Sequence, residues 1–468
     1  MKFLLALFCA VLLALPVWTL EARESLPFPP NDPFYTPPDG WQDKPNGHIF
    51  RSRKVELQTL FHTNVEEAWQ VLYRTTYASD DQPTTSVTTI MVPYNAKRNG
   101  VVVYGDFEDS NAPQCAPSYA FRAGPLNAPS SKVNMVITFP FLQEGYIVTV
   151  PDKEGRKGLF ASGIVEGRQT LDGIRATLAF DKLKLDKNVK VVGSGYSGGA
   201  IQTGWAASLK PTYAPELPVV GWYAGGTPSN LTDLIMLVNK TPFSGFLNGG
   251  VASLVDTYPK VKEYIESIAT HEAMEAMDYA RENCMVSLLL KYPFQDLFST
   301  YYTSRGKQLL DNKDLREVLD ELTMGLNKEQ TPDVPVLMIH GKVDEIAPYR
   351  SGRKTAENWC KHGGQIQFHT YDTDLSAHFI SQITGTTMSF NWLRDRLEGK
   401  PVKDGCQFTS SKDVLLDVDE LGDEFKYILE MLDGFAGDKI GPGDNIITSR
   451  IRKQQAHRHH VQRSSSLV

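Results

Sequence analysis

Asn188-Val189-Lys190-Val191-Val192, Gly195-Tyr196-Ser197-Gly198-Gly199, and then a run through Ala200, Ile201, Gln202, Trp205, Ala206 and Leu209 read in succession as a strand, a sharp turn and a helix. The turn has the spacing G-x-S-x-G. A side chain at Gly195 or Gly199 would collide where the backbone reverses from strand to helix within a few residues. Such an elbow lifts the Ser197 hydroxyl above the sheet edge and aims the Gly198 N–H, with the positive end of the helix, at a developing oxyanion. Five residues alone are an ordinary glycine turn as readily as a nucleophile, so the weight comes from the strand before and the helix after.

Outward from the elbow the chain alternates short apolar runs with helical periodicity. Strands are expected over 101–104, 146–150, 189–192, 219–223, 336–339 and 365–371, and this alternation predicts a mostly parallel sheet. Ile164, Leu171, Ile174 and Leu178 form one helical packing face, and Met388, Trp392, Leu393 and Leu397 another. Upstream, runs over 55–61, 69–77 and 86–92 suggest an antiparallel opening, and the prolines crowded into 24–46 predict an extended arm without regular structure. The alternation stops over 227–330, where stripes such as Leu231, Leu234, Ile235 and Val238 predict an inserted helical cap. Within it, 242–250 combines Phe243, Phe246 and Leu247 with three glycines, which suits a movable lid or a rigid helical subdomain equally. The expected fold class is α/β: an α/β-hydrolase fold with a mostly parallel central sheet and an inserted helical cap.

The expected organisation is a signal peptide over 1–22, core over 23–226, cap over 227–330, and core again over 331–440, ending in an amphipathic stretch from 413. That stretch docks on the body or serves as a flap over the substrate entrance. A disordered basic tail over 441–468 follows. The signal is read from one lysine, then an apolar run over 3–17 too short to span a membrane, with cleavage expected between Thr19 and Arg23. Secretion and no transmembrane segment follow. Cleavage removes Cys9 and leaves Cys115, Cys284, Cys360 and Cys406, an even set for which two disulfides are the default in an oxidising route. No Cys-x-x-Cys pair or His-Glu-x-x-His helix accompanies them, so neither a metal nor another cofactor is expected. The net charge is −7, and without Arg450, Arg452, Lys453, Arg458 and Arg463 of the tail the body carries −12, which argues against nucleic acid. A monomer is expected. Asn230-Leu231-Thr232 and Asn239-Lys240-Thr241 have the form of glycosylation acceptors.

A serine hydroxyl needs a base, and the base an orienting acid. On an α/β-hydrolase sheet they follow in the order serine, acid, histidine, each at the end of a later strand. The turn after 336–339 reads His340-Gly341-Lys342-Val343-Asp344-Glu345; Asp344 is the preferred acid and Glu345 its competitor. The loop after 365–371 ends in Ser376-Ala377-His378, and His378 is the base. His369 falls inside a strand, His362 at a helix end, and His340 is placed to hydrogen-bond its own turn. A second oxyanion donor is sought in Gly105-Asp106-Phe107-Glu108-Asp109-Ser110, near Asp109 with Asp106 as rival; no HGGG run is present.

Glu108-Asp109-Ser110, Cys115-Ala116-Pro117-Ser118-Tyr119, the elbow, Gly225-Gly226-Thr227-Pro228 and His340-Gly341 with Asp344-Glu345 together resemble the secretory lipase family of fungi, the group of Candida antarctica lipase A, over roughly 37–400. The resemblance implies a triacylglycerol lipase or esterase with Ser197, Asp344 and His378 as triad and the amides of Asp109 and Gly198 as oxyanion donors. It also implies disulfides Cys115–Cys284 and Cys360–Cys406, the first tying the oxyanion loop to the cap. The basic tail is outside the family pattern. The expected partner is a lipid or ester substrate met at an oil–water interface. The rivals are a secreted peptidase or smaller-ester carboxylesterase of the same fold, and a binding module on a dead hydrolase scaffold; the last needs a missing triad member, and all three candidates are present.

Overall fold

The computed structural model describes residues 26–59, 62–77, 81–124, 128–412, 437 and 439–443. The expected signal peptide, most of the 413–440 stretch and nearly all of the basic tail lie outside them.

Among the described residues one sheet runs through the body, in the spatial order β1 (Ile49–Lys54), β2 (Glu67–Thr76), β3 (Pro83–Val92), β5 (Ile147–Pro151), β4 (Gly100–Gly105), β6 (Lys190–Tyr196), β7 (Val219–Gly225), β8 (Val336–Gly341), β9 (Ile366–Tyr371) and β10 (Gln407–Ser411). Its antiparallel flank is β1, β2 and β3. β3 pairs antiparallel with β5. From there β4, β6, β7, β8, β9 and β10 continue in parallel. Parallel strands are covered on both faces, and here the period of two sorts the side chains. Val101, Val103 and Val191 join Leu171, Ile174, Ile201 and Trp205 of the helices Gly163–Ala179 and Gly198–Tyr213. Val102, Tyr104 and Val192 turn to the other face, against Phe390, Leu393 and Leu397 of the helix His378–Leu397.

Three expectations change. The proline-rich arm is not without structure, because it folds into single 3₁₀ turns at Pro29–Asn31, Pro33–Tyr35 and Trp41–Asp43. Proline's fixed φ suits a first helical position, and Asp32 accepts the Phe34 amide at 2.9 Å to cap the second turn. The first strand is β1 rather than 55–61. β1 is an edge strand rich in Arg, Ser and Lys and so lacks an apolar alternation, whereas 55–61 runs irregularly with Leu57 buried and only a Gln58–His62 bridge. β10 was not foreseen; it is a polar edge strand added beyond β9.

Between 227 and 330 the chain is helical, with helices at Leu231–Val238, Phe246–Thr257, Pro259–Ile268, His271–Glu282, Met285–Lys291 and Lys313–Glu321. Asn230, Thr270 and Asn312 cap three of them by accepting the amides of Asp233, Ala273 and Leu315. The segment 242–250 is held by Gln295, which donates to Ser244 O at 2.7 Å, and by Asn111, which reaches Gly249 O at 3.3 Å. Asn239, one of the two glycosylation-like asparagines, spends its side-chain amide inside the fold, donating to Asp296 Oδ1 at 2.9 Å.

The described end of the 413–440 stretch docks on the body. Ile440 is buried, accepts the Tyr94 amide and donates to Asn64 O, and Gly441 donates to Gln143 Oε1. These partners lie just before β2, β4 and β5, at the end of the parallel strands opposite the serine, so the docked part of the chain reaches Gly441, inside the span expected to be tail.

Candidate active site

β6 is a central strand, and its carboxyl end carries the serine out of the sheet. Ser197 has φ 56° and ψ −124°, a backbone that an L residue adopts only under constraint. The constraint is local. Ser197 N–H donates to Gly225 O at 2.9 Å while its own carbonyl accepts from Ala200 and Ile201, so the strand ladder and the helix meet at one residue. A Cβ at Gly199 would fall 2.1 Å from Gly105 O, so β4 and the elbow helix could not close with any side chain there. Ser197 is half-exposed, at the first position where its hydroxyl clears the sheet.

His378 begins the long helix after β9 and is 4% exposed. Its Nε2 lies 2.8 Å from Ser197 Oγ and its Nδ1 2.7 Å from Asp344 Oδ2. An ionised carboxylate can only accept, so the imidazole proton sits on Nδ1 and leaves the Nε2 lone pair to take the serine proton. Asp344, in the turn after β8, is fixed through its other oxygen, which accepts the amides of Ile346 at 3.0 Å and Ala347 at 2.7 Å. Burial alone would raise this carboxyl; the imidazole of His378, and then His340, override it and hold Asp344 well below the ordinary carboxylate range. It is therefore a permanent anion beside the imidazole. Ser197, His378 and Asp344 are thus brought together from three strand ends.

Glu345, the competing acid, points elsewhere: its Oε2 accepts the His378 backbone amide at 2.9 Å. It sits at a helix N-terminus, where an anion is favoured. Three further neighbours were not legible as such. The Tyr196 hydroxyl donates to His378 O at 2.7 Å, and the two rings lie 5.1 Å apart. His340 Nε2 lies 3.1 Å from Ala347 O and 3.3 Å from Asp344 Oδ2, so it reaches the acid as well as its own turn. Lys153, after β5, sits 3.6 Å from Asp109. The one signal that pointed to it is the charged run Asp152-Lys153-Glu154 directly after a buried strand.

Asp109 and Gly198 are in close contact. A Cβ on Gly198 would lie 1.6 Å from Asp109 Oδ1, and Asp109 itself has φ 50°. Asp106, the rival, is instead consumed in a buried network, accepting from Asn134 Nδ2 at 2.8 Å. The loop is stitched to the helical insertion: Cys115 is bonded to Cys284, Ser110 Oγ donates to Asn283 O at 3.0 Å, and Gln114 reaches Glu282 O at 2.6 Å. Cys360 and Cys406 form the second disulfide. Glu108 lies beside Cys115 and Cys284, but both thiols are spent in the disulfide and offer no thiolate to a metal.

This arrangement can transfer an acyl group: a hydroxyl with a neutral imidazole acceptor, an anion behind the imidazole, and a helix N-terminus beside the hydroxyl. The family described as secretory lipase matches residues 122–405. A secreted triacylglycerol lipase of Malassezia globosa is 51% identical over 97% of this chain and 100% of its own length. One of Malassezia furfur is 42% identical over 90% of this chain and 86% of its own. Among solved structures, Candida antarctica lipase A in its closed state superposes with a TM-score of 0.75 at 27% identity, covering 90% of this chain and all of that one.

Proposed function

We propose, from the premise that this chain belongs to the secretory lipase family, that it is a secreted triacylglycerol lipase working through an acyl-enzyme on Ser197. The observation that carries the site is the continuous relay of 2.8 Å from Ser197 Oγ to His378 Nε2 and 2.7 Å from His378 Nδ1 to Asp344. Ser197 attacks the ester carbonyl, His378 takes its proton and returns it to the leaving alcohol, and Asp344 stabilises the imidazolium in between. Water then repeats the sequence to release the acid. The amides of Gly198 and Asp109 receive the oxyanion, a reading supported by the contact between these two residues and by the helix start at Gly198.

The helices over 227–330 serve as the cap. Between them lies an apolar cavity lined by Val251, Ile265, Ile268, Met277, Leu297 and Leu309, and burying an acyl chain under the cap would contribute about 0.8 kcal/mol per methylene. An oil–water interface as the place of action is supported by apolar side chains left exposed on the insertion and on the body. Leu290 is 77% and Phe294 64% exposed on the insertion, and Val343, Leu375 and Ile383 are exposed on the body near the acid and the base.

Ser197→Ala should lower kcat on p-nitrophenyl butyrate by about 10⁵- to 10⁶-fold with the melting temperature unchanged. Activity retained by that variant would remove Ser197 as nucleophile. A rate profile over acyl chain length, below and above the solubility limit, tests the substrate class. Preference for short soluble esters throughout, with no gain on emulsions, would contradict lipase action.

A further inference from the structure

Five carboxyl side chains, Asp106, Glu108, Asp109, Glu154 and Glu166, are buried around the loop after β4. The cation among them is Lys153, itself 1% exposed, with Nζ 3.0 Å from Glu154, 3.3 Å from Glu166 and 3.6 Å from Asp109. The Phe160 ring, 5.6 Å away, covers it from the side. Glu154 is tied in turn to the oxyanion loop, accepting the Ser110 amide at 3.2 Å. Two consecutive residues of the β5 loop therefore grip two consecutive residues of the neighbouring loop, one by its side chain and one by its backbone.

The grip has a mechanical purpose. Asp109 is held in the left-handed region at φ 50°, a conformation that costs an L residue energy even though Asp bears it better than most. Its carboxyl is wedged between Gly198 and Lys153. Releasing the carboxyl would let the residue relax toward ordinary dihedrals and swing its N–H out of line with Gly198. Resting on the reading of Asp109 as an oxyanion donor, we propose that Lys153 is a positioning residue for ester hydrolysis: its ammonium, with Glu154, fixes the backbone amide at position 109 for the transition state. Lys153 touches neither substrate nor triad. Its effect falls on the step in which charge develops on the carbonyl oxygen and spares ground-state binding.

The test compares Lys153→Met, Lys153→Met with Glu166→Leu, and Asp109→Asn, following kcat, KM and melting temperature on a soluble p-nitrophenyl ester. Activity is counted as the part abolished by Ser197→Ala, so a failure of the lipase reading shows in the unaltered chain and a failure of this proposal only in the variants. Lys153→Met should lower kcat about 10- to 100-fold, less than loss of a donor outright, and leave KM within about two-fold. The double variant also removes the buried Glu166 carboxyl that Lys153→Met leaves without its 3.3 Å partner, and should regain melting temperature without regaining kcat. A purely structural lysine predicts that both return together, and that outcome overturns the proposal. Asp109→Asn keeps the shape of the loop, so it holds the test open if the lysine variants do not fold. It should lower kcat with KM unchanged, and adding Lys153→Met to it should cost little more; unchanged kcat or independent, multiplying losses would likewise overturn it.

Discussion

Two adjacent acids, Asp344 and Glu345, hold the same histidine by different atoms, one by its ring and the other by its backbone amide. The division gives a sharp expectation. Asp344→Asn should lower kcat about 10⁴-fold, because the amide can donate to Nδ1 and favour the wrong tautomer. Glu345→Gln keeps an acceptor for the helix amide and should stay within about ten-fold of the parent. A pre-steady-state burst assay on both variants checks the ranking, and the reverse order would make Glu345 the acid. At the elbow, Gly198→Ala would place a methyl carbon 1.6 Å from Asp109 Oδ1, so the two residues proposed as oxyanion donors must separate and kcat should fall about 10²- to 10³-fold. In the sequence the choice of Asp344 over Glu345 rests on the shorter side chain, the precedent of this loop and the family resemblance. What decides it is the pair of amides at 346 and 347 that clamp Asp344 and leave Glu345 free to turn to the helix, a contact 33 residues long that no local pattern encodes.

Elements buried on both faces announced themselves. β4, β6, β7 and β8 are short apolar runs whose neighbours fix their identity, and the elbow marks which strand end bears chemistry. The edges did not: β1 and β10 are mostly polar because one side meets water, so the alternation that reveals a strand is absent. The helical insertion was legible as a stripe pattern, but not which of its apolar residues would remain outside. That outer surface carries a prediction of its own. Leu290→Asp with Phe294→Asp should reduce the rate on a triolein emulsion at least about ten-fold while sparing hydrolysis of a dissolved ester, measured side by side. Equal loss on both would assign these residues to the fold instead. The Cys115–Cys284 bridge spans 169 residues, and by loop-closure entropy its removal should cost about 5 kcal/mol of stability, read from urea unfolding of Cys115→Ser with Cys284→Ser.

Across the molecule, buried carboxyls set the response to pH. Burial, only partly offset by Lys153, pushes Glu166 up to about 8, and burial pushes Asp152 up to about 7. A carboxyl whose folded pKa is raised stays protonated in the fold while the unfolded chain ionises, so its stabilisation is complete below the unfolded value and is lost as pH rises toward the folded one. Asp344 has the opposite shift, and its contribution is lost only in strong acid. Lys132, lowered by burial to about 7, favours the fold as pH rises, but only above that value. The melting temperature should therefore fall between pH 5 and pH 7, and a rise over that interval in a thermal scan would contradict the burial of these groups. The net charge of −7 gave no hint of this, since it counts carboxylates without regard to which are sealed from water.

β10 is short and polar, and the Cys360–Cys406 bond fastens the residue just before it to the helix Tyr349–Lys361. Behind it β9 carries Ile366, Phe368 and Tyr371, all buried, with a full row of backbone groups along that border. Reducing agents would thus do more than loosen a corner. With its polar selvage peeled away, β9 becomes an open template on which the same strand of another molecule can zip, and losing the Cys360–Cys406 bond alone would show first as precipitation.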